Sequence, residues 1–540
     1  MRLPASGIYI AVLSSAVVLL ASKGISDEGT VSLNGDMPRH MMNGVYFYDV
    51  MRDLPFDNLV EYTLQYFAKY PALSIGHHPV LTSVAEAPFY ALLGISVASA
   101  RWTIVSFTVL AVIAWFFLIR SAYGELVALL SSLLFATSPI IVGYSRIVMT
   151  EIPALALIVV SSYFYFRLCD SGETRDRLAF VLSFTMACYA KQLAIFMLPV
   201  FVLHWVTVKG PRTLMERRTI LTLFAIGFLL APLVVMTIRF SPSNVGFVTG
   251  QPVSEKLEVS RLLFYIQTLW KHQLTPPVAG LAFLSLGMTV LRRQTDFSFF
   301  LFWILATYAL AIYLGLQEPR LAIYWVPAFC FIAAAIVEGL PSRAWRVSLT
   351  GIVAVLIGYQ FAIGYAAEPE YAAGFEEAAS YVVENRKGAT VLFSSNIDSG
   401  YFVFFVRKKD PSRQMVILRA NKVVATSQLS RIVEERISDR AEIYEILKDF
   451  GTCYVVLQDT PYESRALEWL REEVSSDRFV LRRRIPLRSR DPRLQGVSLG
   501  VYEYNDCGPA DPNAILDMNL PLIRDSIQVR LGDVMSEPPR

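Results

Sequence analysis

The chain has 540 residues, of which 54% are hydrophobic and only 18% charged, with a mean hydropathy of +0.44. Soluble domains carry about 25% charged residues, so this balance describes a membrane protein and excludes both a disordered chain and a small disulfide-stapled secreted scaffold. Lysine and arginine number 49 against 46 aspartates and glutamates, and such a small net charge carries no nucleic-acid signal. The charge is unevenly placed: apolar runs fill the sequence before Glu368, and an ordinary, Arg-rich composition follows it. This predicts a polytopic membrane part, 1–367, followed by a soluble domain, 368–540.

A helix needs roughly 17–25 apolar residues to cross about 30 Å of hydrocarbon. In chain order the candidate spans are 6–22, 99–119, 126–142, 152–166, 178–189, 193–208, 219–238, 277–291, 297–316, 321–340 and 347–366, about eleven. The first has the apolar core of a signal peptide but no clear small-residue cleavage site, and reads as an uncleaved helix. Segment 79–97 opens with His-Pro and contains Glu86 and Pro88, so it reads as a helix lying in the interface. Orientation follows from Lys and Arg in the short loops. With Arg2 in the cytoplasm, the cytoplasmic turns hold Arg120; Arg167, Arg175 and Arg177; Lys209, Arg212, Arg217 and Arg218; Arg292 and Arg293; and Arg343 and Arg346. Making 79–97 a full span would turn every later cluster outward.

The opposite side then collects the long first loop 23–78, the turn 144–151, Lys191, the loop 239–272, the turn 317–320 and the soluble domain. Ionisable residues gathered at helix ends on one face of a bundle mark a site, because charge beside lipid is costly. Tyr62, Tyr66 and Tyr70 in the first loop read as interface anchors. Cys169, Cys188 and Cys330 lie in or beside apolar runs as small core residues. Cys453 and Cys507 can pair if the soluble domain is extracytoplasmic, and no Cys/His spacing suggests zinc.

The first loop reads Asn34-Gly35-Asp36-Met37-Pro38-Arg39-His40, then Met41-Met42-Asn43-Gly44. This resembles the first-loop motif of the GT-C membrane glycosyltransferases, particularly bacterial aminoarabinose transferases and protein O-mannosyltransferases, where Asp-Glu-x-Arg-Tyr is common. Met37 replaces the Glu and His40 the Tyr. Further resemblances follow in family order. They are His78-Pro79 with Ala87-Pro88-Phe89-Tyr90, then Tyr144-Ser145-Arg146 with Thr150-Glu151-Ile152-Pro153, in which Glu replaces the usual Asp. Ala190-Lys191-Gln192 comes next, and then Glu318-Pro319-Arg320 with Tyr324 and Pro327.

The resemblance implies a GT-C fold of about eleven transmembrane helices with an extracytoplasmic α/β domain, in a bacterial cytoplasmic membrane. It implies a sugar donor linked to polyprenyl phosphate, a lipid, glycan or protein acceptor, and inversion by direct displacement. Losing the acceptor proton calls for a carboxylate within hydrogen-bond reach, and the leaving phosphate calls for fixed cations. Asp36 is the expected base and Glu151 the second acidic residue. Lys191, Arg320, His78, Arg39 and Arg146 are the expected phosphate contacts, with His40 and Tyr324 at the substrate. No metal is required by this scheme, although two carboxylates and a histidine are a possible divalent site. A transporter or flippase of lipid-linked sugars is the alternative; it favours repeated halves, and the sequence shows none.

In the soluble part, helix and strand patterns alternate: helix 371–384, strands 389–393 and 414–418, helix 441–450, strand 453–458, helix 464–474, and strands 479–485 and 497–504. This alternation predicts a small α/β sheet domain. Residues after Asp506, rich in Pro and Asp, read as an irregular extension.

Overall fold

The computed structural model describes residues 5–25, 31, 36–241, 246, 250–291, 297–338, 342–368, 371–397, 399–427, 433–520 and 525–536. Arg2, Asn34, Gly35, Arg292 and Arg293 lie outside them. In chain order the first helices are α1 (Ala5–Ala21), α2 (Met37–Asp53), α3 (Leu59–Lys69), α4 (Leu81–Leu93), α5 (Val97–Tyr123) and α6 (Glu125–Thr137). They continue with α7 (Pro139–Ser145), α8 (Glu151–Ser171), α9 (Thr174–Ala190), α10 (Met197–Lys209) and α11 (Arg217–Phe240). Packing divides the chain into two compact units. The first holds residues 1–25, 101–235 and 245–368; the second holds 26–100, 236–244 and 369–540. The edge at 368/369 matches the composition boundary, but the first loop and α4 pack with the soluble part.

The first unit is helical because its sequence is a series of apolar runs interrupted by Gly, Pro and charge. Each candidate span overlaps helix among the described residues, and 339–340 of the span 321–340 lie outside them. Among the described residues five helices are long and apolar enough to cross a membrane, and α6 with α7, bent by 60° at Ser138, makes a sixth if counted as one span. Others are shorter, including Ser298–Leu314 and Pro319–Ala335. Aromatic contacts fill the interior: Trp115 of α5 meets Trp303 at 5.9 Å and Phe300 at 5.7 Å between ring centres. The Trp115 indole donates to Ser131 of α6 at 2.7 Å, which satisfies its polar edge inside the bundle. Phe224 and Phe228 of α11, by contrast, stay exposed, as befits a lipid-facing side.

The second unit is built on a five-stranded sheet in the order Val416–Arg419, Thr390–Ser394, Thr452–Gln458, Ser498–Tyr504, Phe479–Pro486. The first three strands are parallel and the last two antiparallel. Strands 390–394 and 452–458 are buried at every residue, as central strands covered on both faces must be. Cys453 and Cys507 form a disulfide that ties strand 452–458 to the segment after Tyr504. The expected irregular extension is corrected here: Ile515–Leu520 and Asp525–Arg530 pair as an antiparallel hairpin. Its alternation buries Leu516 and Met518, a period-two signal that the Pro- and Asp-rich flanks obscure.

In this unit α2 and α3 pack on helices and strands of the soluble part, and α4 packs on α2, rather than forming a loose loop. Asp49 of α2 takes Arg407 of helix Gly400–Lys409 in a bidentate pair, 2.7 and 3.0 Å, and also accepts from Tyr66 at 2.7 Å. Tyr62 donates to Asp53 at 2.8 Å, and Arg413 pairs with the same carboxylate. Tyr62 and Tyr66 are therefore buried partners of these acids, and Tyr70 is fully buried with no hydrogen bond to its hydroxyl among the described residues, so none of the three is an interface anchor. α4 has 13 residues, about 20 Å at 1.5 Å per residue, which is too short to cross a bilayer.

Candidate active site

In the first unit, α8 starts at Glu151 because Thr150 precedes it and Pro153 fits only a first turn. An acidic first residue also suits the positive end of the helix. The Glu151 side chain is fully buried. Lys191 donates to its Oε1 at 2.6 Å, and Arg320 Nη1 stands 3.8 Å from the same oxygen. Glu151 Oε2 accepts no hydrogen bond among the described residues. Lys191 reaches it from an extended break between α9 and the short helix Gln192–Phe196. Arg320 comes from the turn Pro319–Trp325, where it also pairs with Glu318. Gln273 holds that turn, donating to the Pro319 carbonyl at 2.9 Å and accepting from Trp325 at 2.5 Å. Tyr324 is buried 5.5 Å, centre to centre, from Phe196, and its hydroxyl finds no hydrogen-bond partner among the described residues. Two cations, a buried carboxylate and an unsatisfied hydroxyl thus meet at three helix ends.

In the second unit, Asp36 sits at the N-cap of α2, with Pro38 starting the helix. Its side chain makes no capping bond. It faces Arg39 Nη1 at 3.3 Å and His78 Nε2 at 3.9 Å. The His78 ring lies 4.9 Å from His40 and 4.7 Å from His77, centre to centre. Burial lowers the His78 pKa well below the ordinary histidine value, and His40 adds to this while Asp36 opposes it. His78 is therefore a neutral hydrogen-bonding group and not a cation. Among the described residues no cluster of three or more His, Cys, Asp or Glu is arranged to hold a metal ion.

Of the nine expected residues, the structure brings Glu151, Lys191, Arg320 and Tyr324 together in one unit, and Asp36, Arg39, His40 and His78 together in the other. Arg146 joins neither. It is buried and donates to the carbonyls of Leu20, Gly364 and Ala367 at 2.7–2.9 Å. Its guanidinium closes the carboxyl ends of α1 and helix Arg343–Ala366, where a cation suits the exposed carbonyls. Its expected phosphate contact is thus replaced by a helix-end clamp.

Asn43 is a residue that motif reading passed over. Its Nδ2 donates to Ser74 Oγ at 3.1 Å, and its Oδ1 accepts from Ser74 N at 2.9 Å. The Ser74 carbonyl in turn accepts from the amides of His77 and His78. Asp36, Arg39, His40 and Asn43 follow an i, i+3, i+4, i+7 spacing on one helical face, and that spacing was the available signal.

Residues 77–236 match the family model described as dolichyl-phosphate-mannose-protein mannosyltransferase. No curated protein matches the chain. Among solved structures, ArnT from Cupriavidus metallidurans in the apo state is similar, with a TM-score of 0.60 at 11% identity, over 92% of this chain and 98% of that one. ArnT bound to undecaprenyl phosphate gives 0.57 at 10% identity over the same shares. The Archaeoglobus fulgidus oligosaccharyltransferase, tethered with an acceptor peptide, gives 0.52 at 10% identity over 84% of this chain and 68% of that one. The chain therefore shares the fold of ArnT and of the archaeal oligosaccharyltransferase. The mannosyltransferase-model match across residues 77–236 overlaps the middle of the motif series, from His78-Pro79 to Ala190-Lys191-Gln192.

Proposed function

We propose that this protein transfers a sugar from a polyprenyl-monophosphate donor to an acceptor outside the cytoplasm, with inversion at the anomeric carbon and without a metal. The observation that carries the reading is the meeting of Lys191 and Arg320 on buried Glu151, three residues named by motif order and separated by up to 169 positions. Two cations in a water-poor site match the charge of a departing phosphate, and Tyr324 offers it a hydroxyl. The acceptor oxygen attacks the anomeric carbon while the bond to the phosphate oxygen breaks. The phosphate keeps that electron pair, and the acceptor proton passes to the Asp36 carboxylate. Arg39 stands 3.3 Å from this carboxylate as its cationic partner, and His78, 3.9 Å away, can donate a hydrogen bond.

Eleven crossings with the first loop and soluble domain outside a bacterial cytoplasmic membrane complete the proposal. The Cys453–Cys507 disulfide supports that side, since disulfides persist in oxidising compartments. The direct test is the purified protein with a radiolabelled polyprenyl-phosphate sugar: free polyprenyl phosphate should accumulate when acceptor is present. A protein that moves the intact lipid-linked sugar across vesicles and releases none is a flippase, and the reading fails.

A further inference from the structure

The proposed transfer uses the amino end of α2 and leaves its other end without a role. There Asp49 is fully buried, and two side chains from other elements converge on its carboxylate. Arg407 spans both oxygens, Nη2 to Oδ1 at 2.7 Å and Nε to Oδ2 at 3.0 Å, and the Tyr66 hydroxyl donates to Oδ2 at 2.7 Å. Arg407 follows Phe402–Val406, five apolar residues with no exposed surface, so by its surroundings an apolar side chain would suit this position. Replacing a buried ion pair by apolar groups of similar volume is often neutral or stabilising. Stability therefore gives no reason for the pair, whereas orientation does. Two parallel N–H bonds to one carboxylate fix its plane as well as its distance.

One helical turn on, Asp53 takes Arg413 and Tyr62. Backbone strain gathers at the same place. Leu54, which ends α2, and Arg413 are the two non-glycine residues with positive φ among the described residues, at 50° and 55°. Such conformations persist only where the surroundings hold them. Asp49 lies thirteen positions beyond Asp36, about 20 Å along the helix and about 140° round it. The hold is thus on the side of α2 away from Asp36, and it sets how the helix is turned. A turn of about 10° moves a group about 5–6 Å from the axis by about 1 Å, and a misplacement of that size can cost about 10²-fold in rate.

We infer that Arg407 of the soluble part is a positioning residue: by holding Asp49 it sets the rotation of α2 and so places Asp36 for proton transfer. The role in transfer rests on the function proposed above; the hold on the helix rests on the contacts alone.

The test uses the full-length protein with an apolar replacement of the whole contact, Asp49→Leu with Tyr66→Phe and Arg407→Met. Its melting temperature should stay near wild type. Nitroxide labels on cysteines replacing Asp36 and exposed Arg490, in a background lacking Cys169, Cys188 and Cys330, report the helix without substrate. The distance distribution should be narrow with Arg407 present and shifted or broadened in the apolar variant. Release of undecaprenyl phosphate from radiolabelled undecaprenyl-phosphate mannose, with membrane extract as acceptor source, reads the rate. There kcat should fall by about tenfold or more, with donor KM within about twofold. Arg407→Lys keeps a cation beside Asp49 but not the two-point contact; it should behave in the same way, and it decides the matter if the apolar variant fails to fold. A stable variant with unchanged label distances or wild-type kcat overturns the inference, as does a loss confined to KM or to the folded fraction. If wild-type protein releases nothing while the distances shift as expected, the proposed function fails with this donor and the placement of α2 by Arg407 stands.

Discussion

At the scale of single residues, Asp36 is the group on which the chemistry depends most. Asp36→Asn keeps volume and hydrogen bonding but removes the basic carboxylate, so transfer should fall by about 10²–10⁴-fold while the melting temperature stays near wild type. Asp36→Glu should restore activity only in part, because a shift of about 1 Å in the oxygens is costly. Turnover of both variants against a common donor checks this, and wild-type rates in the Asn variant would move the base elsewhere. The Glu151 cluster allows packing to be separated from ligand binding. Lys191→Ala leaves a buried carboxylate with only Arg320 nearby and should cost about 3 kcal/mol of stability. Adding Glu151→Gln removes the uncompensated charge and should recover most of that loss, yet donor binding should remain weak. A double variant that regains donor affinity would make Lys191 a structural partner alone. Lys69 is a different case. It is buried against the Val534 carbonyl at 3.0 Å, and burial, helped by Arg413, lowers its pKa from 10.5 to about 8. Between those values the unfolded chain holds a proton that the folded protein has lost, so stability should rise as pH increases through this window. Lys69→Met should flatten that rise in melting curves of the full protein.

At the scale of elements, the pairing of α2 with α4 sets the position of the Asp36 end of α2. At Gly44 the two helices pack closely. A Cβ there would stand 2.8 Å from Glu86 Cβ and 2.9 Å from a Tyr90 ring carbon. Tyr90 donates to Glu86 at 3.2 Å and lies 3.3 Å from the Met41 carbonyl, and Ser83 donates to the His40 carbonyl at 3.3 Å. Burial pushes the Glu86 carboxyl well above the ordinary range, and the Tyr90 hydrogen bond opposes this. Gly44→Ala should therefore destabilise by about 1–3 kcal/mol through overpacking and also slow transfer, because α2 carries Asp36, Arg39, His40 and Asn43. Pairing it with Glu86→Gly removes the Cβ that the new methyl would meet and should return part of the stability and rate. If the single variant melts and turns over like wild type, the helices have more freedom here than their contact implies.

At the scale of the whole molecule, basic residues determine the proposed orientation and the disulfide supports it. Single cysteines placed in a variant lacking Cys169, Cys188 and Cys330 provide the check. An impermeant thiol reagent added to intact cells should label a cysteine replacing exposed Asp57 of the first loop and one replacing exposed Arg490 of the soluble part. A cysteine replacing Arg212 should be labelled only after the membrane is opened. Labelling of that turn from outside would invert the orientation and the side of the proposed reaction with it.

The sequence alone determined whatever depends on local order. Apolar runs of sufficient length form helices, so each candidate span overlaps helix among the described residues. Strands at 390–394, 416–419, 452–458, 479–486 and 498–504 follow from β-rich runs between turn signals. Motif order also identified Glu151, Lys191 and Arg320, but their meeting required the bundle to bring residues 40 and 169 positions apart to one carboxylate. Only tertiary structure could decide which arginine does what. Arg146 and Arg320 look alike beside their motifs, yet one is spent on three helix-end carbonyls and the other reaches an acid. The same holds for Asp49 and Arg407, 358 positions apart. Periodicity records which face of an element is buried, but not which partner covers it, because that choice is made by long-range packing and charge neutralisation in the folded chain.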